Sequence, residues 1–389
     1  MMKRNKEKIT KEELQQNVEV TDNEQEVAKE SKWAKLKEES KAIYNEIVVD
    51  IKNPIKRMVY RRKISNKAVA ILRAFIFFGL SFVILFPIFK ELSQSFMNPI
   101  DYSNPYVTYI PQKPTIVNYR VATLLLGYWE SLLNTLKLSV LTTLCQLFAT
   151  SLAGYAFARL KFKGSNLIFW LVMLTLIVPP QAVALARTFY LQDFDILAFG
   201  DNPGLFESLL GHTLKLSGEG KESVFYITSI TGQGIRAALF VYLFRQFFRG
   251  IPIELEESAQ IDGAGIVRTF WSVMLPNARG IITTVALFAF VWQWNDSYFA
   301  GMYKVSTEEV FPLLTRKLLS VSEKIGTIMN DKKFESFVAS VSQNLGKNTQ
   351  FQSAIVSTAA LMMMAPLLIG YLFVQRLFIE GVERSGIVG

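Results

Sequence analysis

Residues 68–89 read AVAILRAFIFFGLSFVILFPIF, a run whose only charge is Arg73. A bilayer requires about 20 consecutive apolar residues for a helix to cross it, and this run supplies them. Five more apolar stretches follow: about Leu132 to Ala158, Leu167 to Leu185 broken by Pro179-Pro180, Ile235 to Phe248 interrupted by Arg245, Ile281 to Trp294, and Ala354 to Phe373. The fourth and fifth are short for lipid-exposed helices, so their ends are expected to extend into the flanking polar sequence. The expected fold is all-α, a polytopic membrane helix bundle of about six transmembrane helices, with five as the competing count.

Composition agrees with that class. The 389 residues are 50% hydrophobic and 13% aromatic with mean hydropathy +0.25, too apolar for an ordinary soluble domain. Thirty phenylalanines fall largely in the long apolar runs, which suits lipid-facing helices. A net charge of +9 would fit nucleic acid, but basic residues flanking membrane spans give the same excess, and no nucleic-acid partner is expected. Cys145 lies inside an apolar segment and His212 in a polar loop; each is the chain's single residue of its type. That excludes a disulfide framework, a thiolate metal site and a histidine cluster.

Charge in the connections sets the topology. Arg159, Lys161 and Lys163 follow the second span; Arg249, Arg268 and Arg279 follow the fourth; Arg376 and Arg384 follow the last. The positive-inside rule puts all of these in the cytoplasm, with both termini. The long connections near 90–130, 187–234 and 297–352 then lie outside. Ahead of the first span, residues 1–66 mix Lys and Glu in a cytoplasmic extension that is not a secretory signal. Trp33, Leu36, Ile43, Ile47 and Ile51 fall near one helical face, which suits either a surface-lying helix or a solvated tail. The cluster Arg57, Arg61, Arg62, Lys63 and Lys67 anchors the entry to the first span. The expected divisions are 1–66, a first span and outer segment over 67–130, a transmembrane domain over 131–380, and a tail over 381–389.

One inside loop stands out. Pro252 suits a first helical turn, Ile253 to Ile261 can form a short helix, and Gly263 can end it in a left-handed conformation. A second helix from about Ile266 to Leu275 is expected to close at Pro276. Glu257 offers a carboxylate to a basic partner, Ser258 and Ala259 allow close approach, and Asp262 can hydrogen-bond the turn backbone. The alternative is an ordinary amphipathic connector.

The spacing Glu257-Ser258-Ala259, three residues, Gly263, nine residues, Val273, one residue, Leu275-Pro276 resembles the shared loop of permease subunits of binding-protein-dependent ATP-driven (ABC) importers. Ser258 and Val273 depart from the usual Ala and Ile, both conservatively in size. Leu133-Asn134-Thr135-Leu136, Ala153 to Arg159, Leu160 to Gly164, Trp294-Asn295-Asp296 and the tail Gly381 to Gly389 are similar to segments of the carbohydrate branch, the maltose-type second permease.

The resemblance implies an ABC importer type I permease-like fold in a cell membrane. It also implies three sets of partners: an ATPase subunit dimer, a second permease subunit, and an extracellular solute-binding protein. Glu257, Ser258, Ala259, Asp262, Gly263 and Pro276 would form the ATPase docking set, and Gln293, Trp294 and Asn295, with Trp292 nearby, a candidate solute pathway. No Gly-x4-Gly-Lys-Ser/Thr loop is present. Catalytic residues, a metal and a cofactor are therefore not expected on this chain, and ATP hydrolysis falls to the partner. Alternatives are a permease for peptides or another small solute, and a channel or sensor subunit outside the ABC class. The segments near 200–233 and 325–350 look enlarged, with a helix-compatible stretch at Phe334 to Leu345.

Overall fold

The computed structural model describes residues 37, 38, 40, 41, 54–98, 101, 104, 106, 107, 109–195, 204–307, 309–328 and 349–386. The expectations for Trp33 to Ile51, for Phe334 to Leu345 and for the last three residues lie outside them. By internal contacts the chain divides into residues 1–86 and 87–389.

The first unit carries most of α1 (Pro54–Ser95). Its span, Asn66–Ser95, is continuous, and Phe75, Phe77, Phe78 and Phe82 are all exposed. Lipid is the solvent that makes such a surface stable.

The second unit is built around α3 (Tyr128–Arg159). Its buried face is Ser131, Thr135, Leu138, Ser139, Thr142, Thr143, Gln146, Thr150, Ser151, Gly154 and Tyr155, three and four residues apart. Leu133, Leu136, Val140, Leu144 and Phe148 face out. Polar side chains inward and apolar ones outward is the arrangement of a helix packed in a membrane. There small residues let backbones approach, and hydroxyls find partners within the protein. Thr135, Thr142 and Thr150 donate to the carbonyls of Ser131, Leu138 and Gln146 at 2.6–2.7 Å.

Helix α8 (Ala237–Gly250) lies along this stripe. Gly154 is the point of closest approach: a Cβ there would sit 2.4 Å from Phe244 Cβ and 3.0 Å from the Arg245 backbone nitrogen. Higher on α3, the Gln146 amide donates to the Ile235 carbonyl at 2.9 Å. The expected lengthening of the fourth span into its flanks is confined to Arg249 and Gly250 at its end. Arg236 takes a left-handed φ of 59° and α8 starts only at Ala237, so it spans about 21 Å at 1.5 Å per residue.

The remaining helices complete the bundle. Short α2 (Val117–Leu126) precedes α3. The third apolar stretch is two helices, α4 (Ser165–Ile177) and α5 (Pro180–Gln192), bent by 105°. Val178 is extended before Pro179, as a residue preceding proline prefers, and Pro180 opens α5. Then come α6 (Leu205–Leu210), α7 (Ser223–Ile230), α8, α9 (Ile253–Ile261), α10 (Ile266–Asn277), α11 (Arg279–Trp294), α12 (Tyr298–Met302), α13 (Leu314–Ile328) and α14 (Thr349–Gly386).

Among the described residues three helices are long and apolar enough to cross a membrane, and counting each bent pair as one span brings the number to five. The short α8, the fourth apolar stretch of the sequence, falls outside that count. Strand pairing among the described residues is limited to the bridge Phe194–Leu214. The long connections contribute to the core: Val121, Leu125 and Leu126 of α2 pack with Leu314, Val321, Phe351 and Ile355, and Val224 and Phe225 of α7 pack with Leu138, Tyr303 and Leu313.

The Gly154 contact yields a test. Gly154→Ala should cost roughly 1–3 kcal/mol, because its neighbours are main chain and a Cβ and have nowhere to move. Thermal unfolding in detergent should show a lowered midpoint. Gly370→Ala, with nothing within 4 Å of the new methyl group and a better helix former in place of glycine, should not lower it.

Candidate functional site

The loop between α8 and α11 is a built structure. Pro252 is extended (φ −55°, ψ 136°) and α9 begins after it, with Glu254 and Glu256 in the first turn where the helix dipole favours negative charge. At its end Gly263 takes φ +82°. Its N–H bonds the Gln260 carbonyl at 3.0 Å, and the Ala264 N–H bonds that of Ala259 at 2.9 Å. This paired closure is a Schellman motif, and the left-handed residue in it is the one where glycine carries no steric penalty. All the closing bonds are main-chain. The expected contribution of the Asp262 side chain is not seen; Asp262 is exposed.

The second helix also departs from expectation. Helical structure continues to Asn277, with Pro276 inside it. Residues Phe270–Met274 form a π turn, and the Leu275 N–H bonds back to the Phe270 carbonyl. A proline ring clashes with the carbonyl four residues before it, and the wider turn accommodates Pro276 without ending the helix. The chain then bends by 82° at Ala278 into α11.

Neighbouring glutamates do different work. Glu257 and Ser258 are exposed, Ala259 is half-buried, and Gly263 and Pro276 are exposed. Glu256 is buried. Its Oε1 accepts from the Tyr155 hydroxyl at 2.8 Å, and its Oε2 lies 3.4 Å from Arg159 Nε. Arg159 also donates to the Ile251 carbonyl. Tyr155 and Arg159, four residues apart, share one face at the end of α3. They fasten the loop to the central helix.

Around this link the rings of Tyr155, Phe248 and Phe270 have centroids 5.3–6.3 Å apart, and Met274 is fully buried. Arg245 is buried too. Its Nε donates to the Phe157 carbonyl at 3.3 Å, and its guanidinium lies 3.9 Å from the Phe169 ring centroid. The loop pattern singles out Glu257 and not Glu256. The sequence signal for it is the Tyr155/Arg159 spacing opposite a loop with adjacent carboxylates.

At the other end of the bundle the candidate pathway residues separate. Trp294 is a core residue, 1% exposed, and its indole N–H donates to the Met363 carbonyl at 3.2 Å. Asn295 is exposed and donates to the Val291 carbonyl at 2.9 Å. Gln293 is buried at 6% exposure, with no hydrogen-bond partner for Nε2 among the described residues. Trp292 stacks on Phe240 and Phe288. Asp296 accepts the Phe299 and Ala300 N–H groups at 3.0 Å on its two oxygens, starting α12. Burial pushes this carboxyl up to about 6, against the opposing pull of the Phe299, Ala300 and Tyr298 N–H groups and of Arg316.

Residues 147–383 match the family described as binding-protein-dependent transport system inner membrane component. The chain belongs to that family. It is a multi-pass membrane permease subunit. Curated relatives include the sn-glycerol-3-phosphate transport system permease protein UgpE of Yersinia pestis bv. Antiqua, 27% identical over 254 residues, 65% of this chain and 72% of that protein. The maltodextrin transport system permease protein MalD of Streptococcus pneumoniae is 27% identical over 264 residues, 67% and 75% of the two chains. A solved chain from a bacterial ABC transporter involved in the import of the acidic polysaccharide alginate has the same fold. It aligns with a TM-score of 0.59 at 20% identity, covering 81% of this permease and 98% of that chain.

Two measurements check this geometry. Tyr155→Phe removes one hydrogen bond to a carboxylate, worth about 1.5–3 kcal/mol, and Arg159→Gln leaves a buried charge unpaired at roughly 3–5 kcal/mol. Both should expose the 252–263 segment to limited proteolysis, Arg159→Gln more strongly; wild-type resistance in both would refute the link. For Asp296, the folded value lies above the ordinary carboxyl range, so folding takes up a proton. The resulting stability is whole below about pH 4 and is lost as pH rises through about 6. Asp296→Asn should flatten that portion of the midpoint-versus-pH curve.

Proposed function

We propose that this permease subunit imports a sugar or oligosaccharide, driven by a pair of partner ATPase subunits that dock on the 252–276 loop. The observation that carries this reading is the loop's outward surface. Exposed Glu257 and Ser258 stand beside exposed Ile261, Ile266 and Val267, with Ile261 exposed by 87%. An apolar projection of this kind on a firmly held loop is a surface suited to a partner. Its occupant is a protein with a cleft that accepts the apolar tip and a basic group for Glu257. Asp262, Gly263 and Pro276 shape the projection, and Ala259 lets the partner approach.

In this reading the loop, both termini, the 1–66 extension and the 381–389 tail are cytoplasmic. A second permease subunit completes the transmembrane pathway, and an extracellular binding protein delivers solute at the end of the bundle bearing Trp292, Gln293 and Asn295. Trp294 supports that end from behind. Closure of the ATPase pair pushes the loop, the Glu256 link passes the displacement to α3, and the bundle opens outward. Hydrolysis on the partner resets it. The carbohydrate assignment is supported by the maltodextrin permease among the relatives and by the aromatic and amide groups at the outer end.

Glu257→Arg reverses the charge on the docking face while leaving the Glu256 link intact. It should cut co-purification of the ATPase at least tenfold and abolish uptake into proteoliposomes, with membrane insertion preserved. Unchanged association and uptake would overturn the docking assignment.

A further inference from the structure

One relative is named for a phosphorylated polyol and another for a neutral glucan, so likeness leaves open the charge of this permease's solute. The end of the bundle opposite the 252–276 loop bears on it. Arg187 of α5 is half-buried; its Nη2 donates to the Gln233 carbonyl at 2.9 Å, and its guanidinium lies 5.8 Å from the Phe299 ring centroid and 5.7 Å from that of Tyr303. Three residues beyond Gln233 stands Arg236, exposed, with its guanidinium 5.7 Å from the Trp292 centroid. Arg316 of α13 runs past Gly301, where a Cβ would lie 2.9 Å from its Nη1.

None of these three guanidiniums has a carboxylate within 4 Å among the described residues, where the ion pairs are Lys137–Glu222 and Arg159–Glu256. Asp296 lies within electrostatic range of Arg316, but both its oxygens already hold main-chain amides. Beside Trp292, the buried Gln293 side chain has an amide donor without an acceptor.

Unpaired cations at a low-dielectric boundary raise the local concentration of anions, and the planar guanidinium fork matches carboxylate and phosphate. Aromatic faces alone would serve a neutral sugar. Two arginines laid over three of those faces add a requirement for negative charge. We propose that this end of the bundle recognises an anionic saccharide or polyol, carboxylated or phosphorylated, with Arg187 and Arg236 taking the anionic group. The proposal rests on the carbohydrate-import reading and narrows it to a charged class.

The test uses the intact importer, co-purified with its partner subunits and binding protein, in phosphatidylcholine vesicles. Uptake is measured for glycerol 3-phosphate, a trigalacturonate and maltotriose. Wild type should take up at least one anionic probe in preference to maltotriose. Arg187→Gln and Arg236→Gln should each reduce that uptake about tenfold or more, as loss of a charge-assisted contact implies. Arg187→Lys and Arg236→Lys should retain an intermediate rate, since charge persists without the fork. Co-purification of the partners checks assembly of every variant.

Preference for maltotriose in wild type would overturn this proposal and leave carbohydrate import standing. Uptake of none of the three would overturn both. Anionic uptake indifferent to the four substitutions would also sink it. So would sensitivity that appears only when phosphatidylglycerol is added to the vesicles, because the arginines would then be reading a lipid headgroup.

Discussion

A bilayer interior offers a polar group no water, so every hydroxyl and amide in a span has to find its partner within the protein. Helix α3 answers that constraint by turning its Ser, Thr and Gln residues inward, where all but the Ser139 and Thr143 hydroxyls of its buried polar face find a partner among the described residues, and the rest of the bundle follows from it. Thr135, Thr142 and Thr150 close on their own helix, Gln146 reaches the backbone before α8, and Gly154 admits Phe244. The outward face is left to leucine, valine and phenylalanine. A water-soluble core would demand the reverse orientation, and with it a different set of neighbours for α8 and α11.

The same helix ends in a polar link that joins the bundle to its loop. A carboxylate as buried as Glu256 is costly to desolvate, and it is tolerable because Tyr155 donates to one oxygen and Arg159 lies against the other. Such a pair contributes little net stability compared with apolar packing. What it contributes is a fixed register, since moving the loop by a few ångströms would strand a charge. Glu257, one residue later, escapes this constraint and faces solvent. The loop is therefore held by one glutamate and free to be gripped at the next.

Sequence periodicity made the apolar stretches legible because hydropathy over a span is a local property. The bounds of α9 and the left-handed Gly263 were legible for the same reason: cap chemistry is decided within a few residues. What was not legible depends on contacts distant in sequence. Trp294 looked available at a membrane boundary, yet Met363, far along the chain, takes its N–H and the α2–α14 core encloses it. Pro276 looked like a stop, and the preceding π turn absorbed it. Glu256 carried no more signal than Glu257, since the difference between them is which side of α9 meets Tyr155. Arg245 read as an interruption of a span, whereas the Phe157 carbonyl and the Phe169 ring give it a place inside.

Two helices connect the ends of this bundle. Helix α8 runs from Arg236, over Trp292, through Phe240, Phe244 and Phe248, to Pro252 at the loop; α11 runs from buried Ala278 beside Met274 back up to Trp292. Their facing side chains form one continuous apolar cluster, from Trp292 at one end to Phe270 and Tyr155 at the other. Interiors packed at this density transmit displacement because they have little free volume to absorb it. A shift of the loop carried through Phe270 and Met274 therefore has no soft element to dissipate it before the Arg236–Trp292 pair. The 82° bend into α11 falls at Ala278, itself a buried member of that cluster, so the packing continues across the bend. Close packing along α8 and α11 therefore joins the loop end of the bundle to the end that bears Trp292.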